Sequence, residues 1–279
     1  NKSPGTYQSY RWRSDDLIAS FGNLDLREVS AFGVEKFKIE QLKRRTKRGD
    51  KQSPASVNRY LQILASIFTL AEKLRLIGSA DRPQITTLKE EGERIRYLSV
   101  GEEKALRDAA KPYLSDMICV ACSTGLRREE LFSLKKSDVD LMLNTLSVLG
   151  KGNKLRSVPL DPAGEACGIL ARLVTTSRSQ YVFTSPHGGG KFTRVDKSLS
   201  RACQLSGVDD CTVHTFRHTF CTRLAAAGVD VRTIMELAGH SDITTTLKYT
   251  HVVKANVHDA VRRLSGFQEA EIIPIRKRG

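Results

Sequence analysis

Three stretches in the first eighty residues carry apolar side chains every three or four positions, the spacing that lines one face of an α-helix. The first follows Ser3-Pro4, a cap residue and a first-turn proline, and carries Tyr7, Tyr10, Leu17, Ile18 and Phe21 before Gly22. The second starts after Ser30 and carries Val34, Phe37 and Leu42. The third repeats the Ser-Pro signature at Ser53-Pro54; Val57, Leu61, Leu64, Ile67, Phe68, Leu70 and Leu74 form its stripe and Gly78 is its expected stop. Residues 1–80 therefore read as a small helical domain. Periodicity then fails across a charged segment with Pro83 and Gly92, so residues 81–96 read as a linker. A second domain, 97–279, opens on Ser99 and Glu102, spaced as a capping box, and continues through an apolar helix over Met117–Ser123. Alternation replaces helical spacing only at 138–141, 145–149 and 155–160, three short strands, with Gly150-Lys151-Gly152-Asn153 as the turn between the last two. Helical patterns resume beyond Asp161. The expected fold class is mainly α with a small antiparallel three-stranded sheet, preceded by the helical N-terminal domain.

Charge changes this picture more than composition does. Lys and Arg total 45 against 31 acidic residues, a net charge of +14 in 279 residues. An excess of that size points to a polyanionic partner, nucleic acid before an anionic membrane surface. The run Lys43, Arg44, Arg45, Lys47 and Arg48 closes the second helix and is a candidate for DNA-backbone contact. No apolar run reaches the roughly 20 residues that span a bilayer, and no signal-peptide pattern opens the chain. The chain also lacks an initiator methionine, which reads as a fragment or a processed form. Six scattered cysteines form no disulfide framework, which fits the cytoplasm.

Histidine and cysteine crowd one region: Cys211, His214, His218, Cys221, then His240 and His251. The spacing invites a zinc reading. Ten residues of helix separate Cys211 from Cys221, roughly 15 Å along the axis, so ligands needing about 2.0–2.3 Å to one ion cannot all converge. The glutamate of a H-E-x-x-H metalloprotease is missing too. No metal and no cofactor are expected. The alternative is anionic chemistry. His214 and Arg217 lie one turn apart, and a planar, permanently charged fork beside a group that titrates near neutrality suits a phosphate whose charge grows during reaction. Cys119 and Cys122, inside an apolar helix, read as core.

Four blocks then occur in order: T-G-L-R-R-E-E-L at 124–131, L-G-K-G-N-K-L-R-S-V-P-L at 149–160, H-T-F-R-H-T-F at 214–220, and L-A-G-H-S-D-I-T-T-T-L-K-Y-T-H-V at 237–252. Together they resemble the tyrosine recombinases of the phage integrase and Xer type. The resemblance implies a catalytic domain over 97–279, with a C-terminal helix and tail, and a core-binding domain over 1–80. In that domain Ser3-Pro4 matches the start of the family's second helix, so the opening helix is expected to be absent. It places the phosphate-binding arginines at Arg127 and Arg217, the hairpin lysine at Lys151, the histidines at His214 and His240, and the nucleophile at Tyr249, with Glu130 in support.

The implied reaction is metal- and ATP-independent cleavage and rejoining of DNA through a 3′-phosphotyrosyl intermediate. A phenol of pKa near 10 is ionised at about one part in a thousand at neutral pH, so its proton needs an acceptor. His214 is the candidate, and Lys151 the candidate donor to the leaving 5′ oxygen. The run Thr244-Thr245-Thr246 has poor helix propensity and is expected to loosen the nucleophile segment. Expected partners are double-stranded DNA and further copies of the chain, in a tetramer on DNA with the C-terminal segment docked in trans. His218 and His251 are left secondary. The rival readings are a type IB topoisomerase-like enzyme and a catalytically silent DNA-binding relative.

Overall fold

The computed structural model describes residues 4–46, 49–90, 95–150, 155–185 and 189–250, and the chain divides into two compact units, 1–93 and 94–279.

The first unit is built on helices α1 (Pro4–Phe21), α2 (Ala31–Lys43) and α3 (Pro54–Lys73). Ser30 and Ser53 cap α2 and α3 by accepting from the backbone N–H groups of Gly33 and Ser56. Its core gathers Leu17, Val34, Phe37, Tyr60, Leu61, Leu64, Phe68 and Ala71. Two details differ from the sequence pattern. Helix α3 ends at Lys73, not at Gly78, because Arg75 takes the left-handed conformation (φ 57°) that unwinds it. Its buried face runs through Tyr60, Ile63 and Ala71, whereas Ile67, Leu70 and Leu74 point outward. The shift has a simple origin: a stripe two residues wide on one helix has two candidate edges, and packing against α1 and α2 selects one.

Within 81–96, residues on the N-terminal side are held against the first unit. The buried Lys38 ammonium donates to Thr86 O (2.7 Å), Thr86 Oγ1 (3.0 Å) and Glu35 (2.6 Å). Asn58 donates to Leu88 O and accepts from Leu88 N–H, at 2.9 and 2.8 Å. A coil without periodicity thus still satisfies its backbone through two buried polar side chains.

The second unit opens with α4 (Val100–Ala109), whose Ser99–Glu102 capping box is present as expected. The apolar helix α5 (Pro112–Thr124) follows and buries both Cys119 and Cys122. After the short α6 (Arg128–Ser133) come strands β1 (Val139–Asp140), β2 (Thr145–Leu149) and β3 (Leu155–Pro159). They form an antiparallel sheet in the order β1-β2-β3, with Thr145 opposite Pro159 and Leu149 opposite Leu155. Helices α7 (Glu165–Thr176), α8 (Asp196–Ser206), α9 (Val213–Ala226), α10 (Val231–Ala238) and α11 (Ile243–Thr250) complete the described unit. Helices α5 and α9 pack together, and α10 and α11 close against α9 around Phe220, Cys221, Ile234, Ala238 and Tyr249. The mainly helical fold with one small antiparallel sheet is the fold class expected.

Candidate active site

Four side chains of α9, His214, Arg217, His218 and Cys221, follow one another at three- and four-residue steps and so share a face. Thr212 starts the helix, its N–H donating to Thr215 Oγ1, and Asp210, in the left-handed region at φ 50°, turns the chain into it. Arg217 is 2% exposed, and its Nη1 donates to Gly125 O at 2.7 Å. That carbonyl belongs to the left-handed cap of α5 (φ 63°). A Cβ on Gly125 would lie 2.3 Å from the Phe220 ring, so glycine is required there on both counts. Arg217 Nη2 is buried and has no hydrogen-bond partner among the described residues. Burial, then the charge of Arg127, lower the Arg217 guanidinium to about 10, still cationic at neutral pH.

Arg127 precedes α6. Its Nη1 donates to Glu130 Oε1 at 2.9 Å, its backbone N–H to Glu130 Oε2 at 2.8 Å, and its Nη2 to Gly239 O. Gly239 is again a left-handed helix cap, of α10 (φ 67°), so two helix C-termini present carbonyls to the two arginines. Glu130 also receives a fork from Arg156 on β3, Nη1 to Oε1 at 2.9 Å and Nη2 to Oε2 at 2.8 Å. Burial pushes the Glu130 carboxyl up, but the Arg156 and Arg127 bonds outweigh it and leave the group at about 2. It is an anion that holds two cations in place.

Asp242 caps α11 through its carboxylate, which accepts from Thr244 N–H at 2.9 Å, and the helix carries Tyr249 into the site. Tyr249 is 3% exposed, and its hydroxyl lies 2.8 Å from His218 Nδ1. The His240 ring is parallel to that of Tyr249 (2° between planes, centroids 6.1 Å apart), and its Nδ1 meets Thr246 Oγ1 at 2.7 Å. Burial first, then Arg217 and Arg127, lower His240 to about 3, so it is a neutral donor or acceptor at physiological pH. His214 is exposed, with its ring edge-on to His218 at 4.5 Å.

Arg127, Glu130, Arg217, His240 and Tyr249 thus converge, with His214 beside His218. Lys151, Lys47, Arg48 and His251 lie outside the described residues. Of the basic run, Lys43 is exposed, Arg44 is paired with Asp16, and Arg45 donates to Gly49 O in its own turn at 2.7 Å.

Three residues gain importance from the structure. His218 meets the phenol, although sequence reasoning set it aside. Arg156 braces Glu130; its signal was an arginine in phase with the inward Val158 on β3. Thr246 is fully buried and orients His240, so the threonine run does more than lower helix propensity.

A profile of the phage integrase family matches residues 96–256. Tyrosine recombinase XerD of Listeria monocytogenes serovar 1/2a is 34% identical over 234 residues, covering 77% of this chain and 78% of its own. XerD of Lacticaseibacillus casei is 35% identical over 221 residues, covering 74% and 75%. Among solved structures, the Tn1549 transposon integrase in complex with transposon right end DNA superposes with a TM-score of 0.78 at 20% identity, over 95% of both chains. The XerH site-specific recombinase bound to palindromic difH superposes at 0.69 and 18% identity, over 92% of this chain and 79% of that one. At such identities the structural likeness speaks for the fold.

Proposed function

The chain belongs to the phage integrase family of tyrosine recombinases and is a site-specific DNA recombinase, and we propose that the residues gathered between α6, α9 and α11 carry out its strand cleavage and rejoining. Tyr249 is the nucleophile. Arg127, Arg217 and His240 donate to the non-bridging oxygens of the scissile phosphate, where charge builds in the transition state. Guanidinium forks supply the positive charge that magnesium supplies in many phosphoryl-transfer enzymes, so the step runs without metal or ATP. Attack forms a 3′-phosphotyrosyl ester and frees a 5′ oxygen, which takes its proton from Lys151. The retained ester stores the bond for rejoining.

One observation carries this reading: Arg217 buries a charged Nη2 with no acceptor among the described residues, beside Arg127 and the Tyr249 phenol. An unmet buried donor costs about 1–3 kcal/mol, more when charged, and a phosphate oxygen offsets that cost. The partner in our reading is double-stranded DNA; the Tn1549 integrase is in complex with transposon right end DNA and XerH is bound to its palindromic difH substrate. In our reading residues 1–80 form the core-binding domain, with Lys43, Arg44 and Arg45 at the DNA backbone, and the C-terminal segment docks in trans in a tetramer on DNA. No helix among the described residues is long and apolar enough to cross a membrane, and we place the activity in the cytoplasm.

The test uses a pool of nicked suicide duplexes with randomised core sequence, in EDTA. A covalent protein–DNA adduct that disappears in Tyr249→Phe is expected. Failure to form any adduct across the pool overturns the reading.

A further inference from the structure

We propose that His218, rather than His214, accepts the phenol proton of Tyr249 during strand cleavage; the inference rests on the recombinase reading above. His218 Nδ1 is 2.8 Å from the Tyr249 hydroxyl, the reach a general base requires. Among the described residues, the other titratable and charged groups known to act on the phenol or on His218 suit the task less well. Cys221, one turn further along α9, also meets the phenol, but burial pushes its thiol up to about 11, so it stays protonated. Arg217, on the same face, remains cationic. His240 faces Tyr249 ring to ring, and its Nδ1 is engaged by Thr246. His214 is the exposed neighbour whose ring packs edge-on against His218. Arg127, just before α6, is cationic and lies near enough to Arg217 and His240 for its charge to lower both.

His218 is the neutral tautomer with its proton on Nε2, leaving the Nδ1 lone pair toward the phenol. The phenol O–H bond breaks and the proton moves to Nδ1. The Tyr249 oxygen forms a bond to phosphorus while the bond to the 5′ oxygen breaks; its electron pair stays on that oxygen, which is protonated by the separate donor. In rejoining, His218 returns its proton to the departing phenolate.

The decisive variant is His218→Asn, whose amide occupies the place of Nδ1 and keeps a hydrogen bond without taking up a proton. Single-turnover adduct formation on the suicide duplexes is expected to fall by about 10²–10⁴-fold, the usual worth of general base catalysis. Gel-shift binding of the same duplexes is expected to be unchanged. Replacing Tyr249 with a fluorinated tyrosine, a more acidic phenol, is expected to close the gap between His218→Asn and the parent to under tenfold. A His218→Asn protein that cleaves like the parent overturns the assignment and leaves the recombinase reading standing. A deficit that fluorination does not shrink also overturns it, since a group that only positions the ring is insensitive to phenol acidity. Should Asn disturb DNA binding, His218→Ala with imidazole in the buffer reads the same transfer: recovery of adduct formation supports it, and no recovery overturns it. Absence of any Tyr249-dependent adduct in the parent protein overturns the underlying reading instead.

Discussion

Removing the Glu130 charge tests the architecture of the site without touching the nucleophile. Glu130 has a side chain only 7% exposed and accepts four hydrogen bonds, two from Arg127 and two from Arg156. Its carboxyl sits at about 2 against an ordinary 4.5. At about 1.4 kcal/mol per factor of ten, that depression corresponds to about 3 kcal/mol of folding stability. The sign is that of a carboxylate preferred ionised in the folded state. The stability is fully present above 4.5 and is lost as pH falls through about 2, with roughly half left near pH 3. Glu130→Gln removes the charge and points an amide N–H₂ at a guanidinium, so a loss of about 3 kcal/mol at pH 7 is expected, in the range for breaking a buried ion pair. Trp12 is the single tryptophan and lies in the first unit, so its fluorescence reports the unit that should not change. The second unit is read by hydrogen exchange of peptides covering α6 and β3. There, exchange through unfolding should accelerate on the order of 100-fold at pH 7 and much less at pH 3. Unchanged protection at pH 7, or a deficit as large at pH 3, would refute the assignment of Glu130 as the anion holding both arginines.

Three further outcomes follow from the same geometry. Gly125→Ala places a Cβ 2.3 Å from Phe220 at φ 63°. The left-handed strain alone costs about 1–2 kcal/mol, so thermal unfolding of the second unit should shift down and adduct formation should fall as Gly125 O leaves Arg217. Thr246→Val keeps the volume and removes the hydroxyl at His240 Nδ1; the unfolding midpoint should drop by the equivalent of about 1–3 kcal/mol, with slower cleavage in the single-turnover assay. His240, lowered to about 3 by burial and two arginines, should show no titration between pH 5 and 8 by NMR. The unfolded chain takes up that proton below about 6.5 and the folded one does not, so this histidine lowers stability progressively as pH falls from 6.5 toward 3.

Local chemistry was legible because its causes are local. Ser30, Ser53 and the Ser99–Glu102 pair cap helices within three residues of themselves. Alternation at 145–149 and 155–160 yields two strands that pair antiparallel. The candidates Arg127, Arg217, His240 and Tyr249 stood out because four blocks of short-range spacing coincide, and a phosphate needs cations and a nucleophile together. The outward turn of Ile67 and Leu70 was less legible. Both belong to a plausible stripe on α3, and only the neighbouring helices decide which edge of it is buried.

What the sequence by itself determined, then, was the succession of elements, the basic character of the chain and the residue types available for phosphoryl transfer. Tertiary structure alone decided who meets whom. Glu130 finds Arg156 across 26 residues, Arg127 finds the Gly239 carbonyl across 112, and Tyr249 finds His218 across 31. None of these pairings carries a period or a spacing, because each is created when separate helices bury their apolar faces and their polar groups must then find partners out of water. The same packing moved His218 from a secondary position to the phenol itself.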